Sequence, residues 1–301
     1  MRARQPDASG VVRRGGVDIA WERFGDGEPA LLFCGVDPIV EARMWKGQVA
    51  WFARRHMVIT FDPPGNGAST RTTDPRAYGD GEFVAAALAV LDANGIDRAV
   101  VAGVCQGAGI ALVLAADHRD RVAGVVAINP GLVLSPPPEH RRRRPGQTFN
   151  DVLDSHDGWD MENRHYWLRD WAGYSDFFFA QLLPEPHSTK QHEDCVGWAV
   201  ATTAEQMLAY CFCDPPTPRD DEAYAVDLCG RVRCPVLVIN GDRDMCQPPE
   251  RSRRVAELTG GELVVMEGSG HLPHARDPVK VNLEIAAFLR RAVPARAAAR
   301  R

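Results

Sequence analysis

One cysteine of this chain stands where a nucleophile would be exposed. An apolar, β-branched run over residues 99–104 ends at Cys105, and an Ala- and Leu-rich segment with helical spacing follows. This order predicts a strand, a sharp turn and a helix, with Cys105 at the tip of the turn. Gly103 and Gly107 suit a turn in which neighbouring backbones leave no space for a Cβ atom. We therefore predict that Cys105 has a strained backbone and an exposed thiol.

The chain also carries a base and an acid that could activate this thiol. His271 follows Gly-Ser-Gly at residues 268–270, a flexible loop that could bring the imidazole over Cys105 to take the thiol proton. Pairing with an imidazolium lowers the pKa of a thiol below its free value of about 8.5. Asp244 would orient the imidazole through its other ring nitrogen and offset its charge. Together these residues predict nucleophilic attack on an activated carbonyl.

Four short motifs, in this order along the chain, resemble those of the α/β-hydrolase fold superfamily. They are Phe-Asp-Pro-Pro-Gly-Asn-Gly-Ala-Ser at residues 61–69, Gly-Val-Cys-Gln-Gly at 103–107, Ile-Asn-Gly-Asp-Arg-Asp at 239–244 and Gly-Ser-Gly-His at 268–271. The resemblance implies an α/β fold with a mostly parallel, doubly wound sheet. It also implies a catalytic triad of Cys105, Asp244 and His271, in the chain order of that superfamily. Most members carry Ser at position 105, and Cys is known in dienelactone hydrolases, polyhydroxyalkanoate synthases and some thioesterase domains.

The same resemblance implies where the oxyanion of the reaction would be held. The backbone amides of Gln106 and Val36 would donate to it, and Gly35 would let the backbone approach the substrate. The superfamily often has His-Gly at this point, where this chain has Cys34 and Gly35. The predicted oxyanion hole is therefore Gln106 and Val36.

Two assignments have neighbouring competitors. Asp242 and Asp244 would point the same way along a strand, and Asp244 is preferred because family members place the acid shortly before a loop proline, here Pro248. His274 lies one helical step beyond His271, and the Gly-x-Gly-His pattern favours His271. We carry Asp244 and His271 forward as the acid and the base.

The arrangement of strands and helices predicts one core domain with an insertion. Apolar strand patterns alternate with helical patterns in residues 1–134 and 228–301, which favours a parallel sheet built from right-handed crossovers. In residues 135–227, here called the cap segment, this alternation stops, and the break resembles the superfamily's helical cap. We expect most aromatic residues of the cap segment in its own core and a few facing the pocket. They are Trp159, Tyr166, Trp167, Trp171, Tyr174, Phe177, Phe178, Phe179, Trp198, Tyr210 and Phe212.

Composition narrows the class of protein. A net charge of -5 argues against nucleic acid or an anionic membrane as the partner. No apolar stretch reaches the roughly 18 to 20 residues of a membrane helix, and no hydrophobic signal segment opens the chain, so we expect a cytoplasmic protein. The basic runs at residues 140–144 and 290–301 are interpreted as solvated surface.

The eight cysteines are expected to be reduced rather than paired in disulfides. The spacings of Cys211 with Cys213 and of Cys229 with Cys234 do not match those of paired zinc ligands. We therefore expect no metal and no cofactor.

The leading hypothesis is a cofactor-independent acyl-transfer enzyme that hydrolyses an ester, lactone or thioester through a Cys105 acyl-enzyme. The substrate would be a small apolar or aromatic acyl compound, free or linked to a carrier or to CoA. Haloalkane dehalogenase and epoxide hydrolase chemistry need a carboxylate at position 105 and are excluded. Two alternatives stay open: an acyltransferase or cyclase that uses an acceptor other than water, and a non-catalytic ligand-binding protein on the same scaffold. The oligomeric state is also left open.

Overall fold

Eight strands form a single sheet in the computed structural model of the chain, which describes residues 4–218 and 221–293. In chain order the strands are β1 Ala8–Arg14, β2 Val17–Phe24, β3 Ala30–Phe33, β4 Val58–Phe61, β5 Ala99–Val104, β6 Val122–Ile128, β7 Val236–Gly241 and β8 Glu262–Met266. Their order across the sheet is β1-β2-β4-β3-β5-β6-β7-β8. The pairs β1·β2 and β2·β4 are antiparallel, and every later pair is parallel.

The strands at the centre of the sheet are the most apolar ones. All residues of β3, β4, β5 and β7 are buried, as expected for parallel strands covered by helices on both sides. The edge strand β1 alternates between exposed and half-buried residues. The predicted mostly parallel, doubly wound α/β sheet is confirmed.

Eleven α-helices are found in the described residues. They are α1 Lys46–Phe52, α2 Asp80–Ala93, α3 Gln106–Asp117, α4 Arg164–Arg169, α5 Trp171–Leu182, α6 Thr189–Ala199, α7 Ala204–Cys211, α8 Glu222–Arg231, α9 Pro249–Thr259, α10 Pro273–Arg276 and α11 Pro278–Ala292. Helix α1 contacts α11, while α2, α3, α8 and α9 contact one another in series, and these two groups flank the sheet. A 3-10 turn at Ala42–Trp45 leads directly into α1.

Helices α4 to α8 lie between β6 and β7, in and just beyond the cap segment. The predicted boundary at residues 227 and 228 falls inside α8, which contacts α3 and α9. The division into core and cap stays a prediction. The end of the predicted basic tail, residues 294–301, lies outside the described residues. None of the described helices is long and apolar enough to cross a membrane.

Candidate active site

The turn that carries Cys105 joins β5 to α3. Cys105 has φ +52° and ψ −115°, a backbone conformation that L-residues rarely adopt. A Cβ atom on Gly103 would lie 2.2 Å from the backbone of Gly107, and one on Gly107 would lie 2.2 Å from the carbonyl oxygen of Gly35. The two glycines therefore let the strand, the helix and the 34–36 loop pack backbone against backbone around the cysteine.

His271 lies on the loop between β8 and α10, and its backbone is held from two sides. The side-chain amide of Asn129, just after β6, donates to the carbonyl oxygen of His271 at 2.9 Å. The Oδ1 of Asn129 accepts from the backbone N–H of Gly241 at 2.9 Å, at the end of β7. The N–H of His271 donates to the carbonyl oxygen of Leu182 in α5 at 3.0 Å. These bonds fix the imidazole relative to the carboxyl ends of the parallel strands.

The acid beside this imidazole is Asp244. Its Oδ2 lies 2.7 Å from Nδ1 of His271, and both side chains are buried. Its Oδ1 accepts from the backbone N–H groups of Cys246 and Gln247, which orients the carboxylate. Asp242, the competitor, instead accepts from the backbone N–H of Gly268 at 2.7 Å. Burial lowers the pKa of His271, but the charge and hydrogen bond of Asp244 outweigh burial and raise the pKa to about 9.

Two other ionisable side chains, those of Cys246 and His271, lie close to the thiol of Cys105. Its Sγ, the Sγ of Cys246 and a ring nitrogen of His271 all lie within 4.8 Å of one another. A hydrogen bond with the Cys246 thiol lowers the pKa of Cys105, against burial and the carboxylates of Asp37 and Asp244, which raise it. The Nε2 of Gln247 lies 3.6 Å from the Cys105 sulfur and also lowers the pKa. The contacts therefore lower the pKa of Cys105, and the neighbouring His271 keeps its proton up to about pH 9.

One predicted oxyanion donor, Gln106, directly follows the cysteine in the chain, and the other, Val36, lies in a separate loop. Gln106 is the first residue of α3, so its backbone N–H has no acceptor within the helix. The side-chain amide of Gln106 donates a hydrogen bond to Oδ1 of Asp80. Val36 lines the same cavity as Cys105. Their role as oxyanion donors stays a prediction.

A small, partly enclosed cavity of about 40 Å³ lies beside Cys105 and His271. Its lining is mostly apolar and includes Phe178, Phe179 and Trp198 from the cap segment. The other lining residues are Val36, Asp37, Ile39, Val40, Met44, Leu182, Cys195, Leu272, His274 and Ala275. The apolar lining suits a small, largely apolar group.

His274 is the least expected residue of this cavity. It is fully buried, and its ring centroid lies 4.5 Å from that of Trp45. Neither ring nitrogen has a hydrogen-bond partner among the described residues. Burial, followed by the charge of His271, lowers the pKa of His274 to about 3. This imidazole is therefore neutral at physiological pH and offers one donor and one acceptor.

Sequence reasoning missed three residues of the site: Cys246, Gln247 and Arg141. Cys246 and Gln247 lie two and three residues after Asp244. This position next to the predicted acid is a signal that could have identified them as site residues. Arg141 belongs to the basic run predicted to be solvated, and that prediction is wrong for this residue. Its side chain is 17 % exposed, and its Nη1 lies 3.1 Å from the Cys246 sulfur.

The sulfurs of Cys105 and Cys246 and a nitrogen of His271 are ligand types that bind zinc. The guanidinium of Arg141 beside Cys246 disfavours a second cation at this point. The site is therefore better suited to a thiolate–imidazolium pair than to a metal ion.

Comparison with known proteins shows which proteins and folds this chain resembles. A family model of the α/β hydrolase fold matches residues 33–155. The (E)-2-((N-methylformamido)methylene)succinate hydrolase of Acinetobacter baylyi is 26 % identical over 267 residues, which are 88 % of this chain and 91 % of that protein. RutD of Azorhizobium caulinodans, a protein named as a carbamate hydrolase, is 36 % identical over 115 residues, 38 % of this chain and 42 % of that protein. The solved structure of Est816, an N-acyl homoserine lactone degrading enzyme, superposes with a TM-score of 0.74 at 22 % identity, covering 93 % of this chain and 100 % of that one.

Proposed function

Because the chain has the α/β-hydrolase fold, we propose that it is a hydrolase that cleaves an ester, lactone or thioester through a covalent acyl-enzyme on Cys105. The observation that carries the proposal is the approach of the Cys105 sulfur to the imidazole of His271, which Asp244 holds from its other side. A thiol, a base and an orienting acid in this order form the arrangement that nucleophilic acyl transfer needs.

The reaction follows from the groups in the site. The Cys105 thiolate attacks the carbonyl carbon and forms a carbon–sulfur bond, and the carbonyl oxygen takes the negative charge. The backbone N–H groups of Gln106 and Val36 hold this oxyanion, and loss of one such donor typically costs roughly 3 kcal/mol of transition-state stabilisation. When the oxyanion collapses, the leaving group departs with the proton of the His271 imidazolium.

The second half of the reaction releases the acyl group. His271, now neutral, takes a proton from a water molecule, and the oxygen of this water attacks the thioester carbonyl. Collapse of the second oxyanion breaks the carbon–sulfur bond, frees the acid and restores the thiolate and the imidazolium. Asp244 keeps the imidazole oriented through both halves.

The cavity supports a small apolar or aromatic acyl group as the substrate. Phe178, Phe179 and Trp198 provide an apolar wall opposite the sulfur. Neutral His274 also lines the cavity, and its ring nitrogens, which have no partner among the described residues, could hydrogen-bond an uncharged polar atom of the acyl chain. The relatives also favour acyl chemistry, because the activities in their names, on a carbamate, an amide-bearing succinate and a lactone, are all directed at carbonyl compounds.

Intact-mass measurement on a panel of aryl esters and thioesters of short apolar acids tests the proposal. The native chain is expected to gain the mass of one acyl group and to release the free acid, and Cys105→Ala is expected to do neither. Cys195→Ala is the matched control, because Cys195 is the other cysteine of the cavity lining and burial raises its pKa to about 12. That variant should still be acylated. An adduct or turnover that persists in Cys105→Ala would overturn the proposal.

The same measurement separates hydrolysis from acyl transfer. A thioester acyl-enzyme can pass its acyl group to an added amine or thiol as well as to water. We expect free acid as the main product without an acceptor. If release of the acyl group requires the acceptor, the protein is an acyltransferase.

A further inference from the structure

A second sulfur lies beside the proposed nucleophile. The Sγ atoms of Cys105 and Cys246 are within 4.8 Å of each other, and the Nε2 of Gln247 lies 3.6 Å from one and 3.8 Å from the other. Cys105 is partly exposed at the cavity, whereas Cys246 is 5 % exposed behind it. A small molecule in the cavity therefore reaches Cys105 first.

Cys246 is held in place by charged neighbours. Its backbone N–H donates to Oδ1 of Asp244 at 2.6 Å, and Arg141 donates to its carbonyl oxygen at 3.1 Å. Nη1 of Arg141 also lies 3.1 Å from the sulfur, and Arg141 is in turn fixed by Glu162 at 2.6 Å and by the ring of Trp159. A guanidinium at this distance stabilises a thiolate on Cys246 when the thiol gives up its proton.

The two sulfurs have different roles before any reaction. The Cys105 sulfur accepts a hydrogen bond from the Cys246 thiol, which favours the thiolate on Cys105 and keeps the proton on Cys246. Cys105 is thus the group that reacts with an oxidant, and Cys246 is the neutral thiol next to it. This is the arrangement of a reactive cysteine with a resolving cysteine.

We propose that Cys105 and Cys246 form a site of reversible oxidation by hydroperoxides, in which the product is a disulfide between them. The peroxide is the two-electron oxidant of the reaction, and hydrogen peroxide is small enough for the cavity of about 40 Å³. In the disulfide, Cys105 cannot attack a carbonyl, so acyl transfer stops until a thiol reductant restores both cysteines. The existence of this site does not depend on the proposed activity, although the loss of turnover does.

The chemistry balances with the groups present. The Cys105 thiolate attacks one peroxide oxygen, the oxygen–oxygen bond breaks, and the released hydroxide takes the imidazolium proton of His271 to form water. Cys105 is then a sulfenic acid. The Cys246 thiol passes its proton to His271, and its sulfur attacks that of Cys105. The sulfur–oxygen bond breaks and hydroxide leaves with the same proton as a second water. Two thiols are oxidised, and one hydrogen peroxide is reduced to two waters; an organic hydroperoxide would give an alcohol in place of the first water.

Without Cys246, the sulfenic acid on Cys105 would lose the thiol that lies within 4.8 Å of it. Further peroxide would convert it to the sulfinic acid, which thiol reductants do not reverse. Cys229 provides a matched control, because it is fully buried in α8 and burial raises its pKa to about 12. Loss of its sulfur should not alter the oxidation of Cys105.

The experiment treats the native chain, Cys246→Ser and Cys229→Ser with a small excess of hydrogen peroxide, followed by dithiothreitol. In the native chain and in Cys229→Ser we expect a loss of about 2 Da, a linked peptide pair containing residues 105 and 246, and recovery of the original mass and turnover after reduction. In Cys246→Ser we expect a gain of about 32 Da on the peptide of Cys105 that reductant does not remove.

The native peptide map decides the proposal even if a variant fails to fold. A native chain that gains about 32 Da on Cys105 without the linked pair would overturn it, as would a linked pair that joins other cysteines. A chain that forms the linked pair but turns over no ester keeps this proposal and defeats the proposed function. A chain that turns over esters but does not form the linked pair keeps the proposed function and defeats this proposal.

Discussion

The Oδ2 of Asp244 lies 2.7 Å from Nδ1 of His271, and neither side chain is more than 2 % exposed. A carboxylate so close to an imidazole in a water-poor site favours the protonated ring. The pKa of His271 rises from 6.5 to about 9, so the folded chain holds this proton over a pH range in which the unfolded chain loses it. This pairing therefore stabilises the fold fully below about pH 6.5, and the contribution is lost as the pH rises through about 9.

Replacement of Asp244 by Asn tests this relationship. The variant removes the charge that orients the imidazole and stabilises its protonated form. We expect kcat/KM on an aryl ester to fall by roughly a hundred- to ten-thousand-fold. Asp242→Asn is the matched control, because its carboxylate contacts the backbone N–H of Gly268 rather than the imidazole, and it should retain most of the turnover. Equal losses in the two variants would contradict the assignment of Asp244.

Alkylation by iodoacetamide should reach Cys105 before the buried thiols and persist below pH 9.0. The pKa of Cys105 is lowered below 9.0, so its thiolate fraction falls only when the pH drops through that lowered value. Burial raises the pKa of Cys34, Cys195 and Cys229 to about 12, and these thiols should stay unlabelled. Peptide mapping against pH measures both effects. Labelling of Cys105 with a midpoint at or above 9.0 would show that the contacts with Cys246 and Gln247 do not lower its pKa.

The close approach of Gly107 to Gly35 predicts opposite effects for two glycines of α3. Gly107→Ala places a Cβ atom 2.2 Å from the carbonyl oxygen of Gly35, so the backbone must shift and the free energy of unfolding should fall by roughly 1 to 3 kcal/mol. In Gly109→Ala, the nearest atom lies at an ordinary 3.8 Å. That variant should be more stable by roughly 0.5 to 1 kcal/mol, because Ala favours the helix. Urea unfolding of both variants measures the difference, and equal stabilities would contradict the tight packing of the elbow.

The order of the elements and the turn around Cys105 could be predicted from the sequence because both depend on local signals. The apolar run before Cys105 and the glycines at 103 and 107 lie within a few residues of each other. The proximity of Asp244 and His271 was inferred from a resemblance and from their order in the chain. Each of them follows a strand of the sheet, so the topology brings their loops to one edge.

The rest of the site depends on contacts between segments far apart in the chain. Arg141 reaches Cys246 across 105 positions, and nothing in the basic run around it marks this one arginine as buried. The same holds for the cap segment, where Phe178, Phe179 and Trp198 line the cavity and other aromatic residues do not. Composition identifies an aromatic-rich segment, but only helix packing decides which rings face the cavity.

The buried imidazole of His274 predicts a specific dependence of stability on pH. Its pKa in the folded chain is about 3, whereas the unfolded chain takes up this proton below 6.5, so folding stability falls as the pH drops from 6.5 towards 3. His274→Phe keeps a ring against Trp45 and removes the titration. Between about pH 8 and about pH 5, the free energy of unfolding of the native chain should fall by up to about 2 kcal/mol more than that of the variant. Urea unfolding at the two pH values measures this, with the same substitution at exposed His165 as the control. If His274→Phe and the native chain lose the same stability, the ring of His274 is open to protonation in the folded state, and its role as a neutral contact for the substrate is wrong.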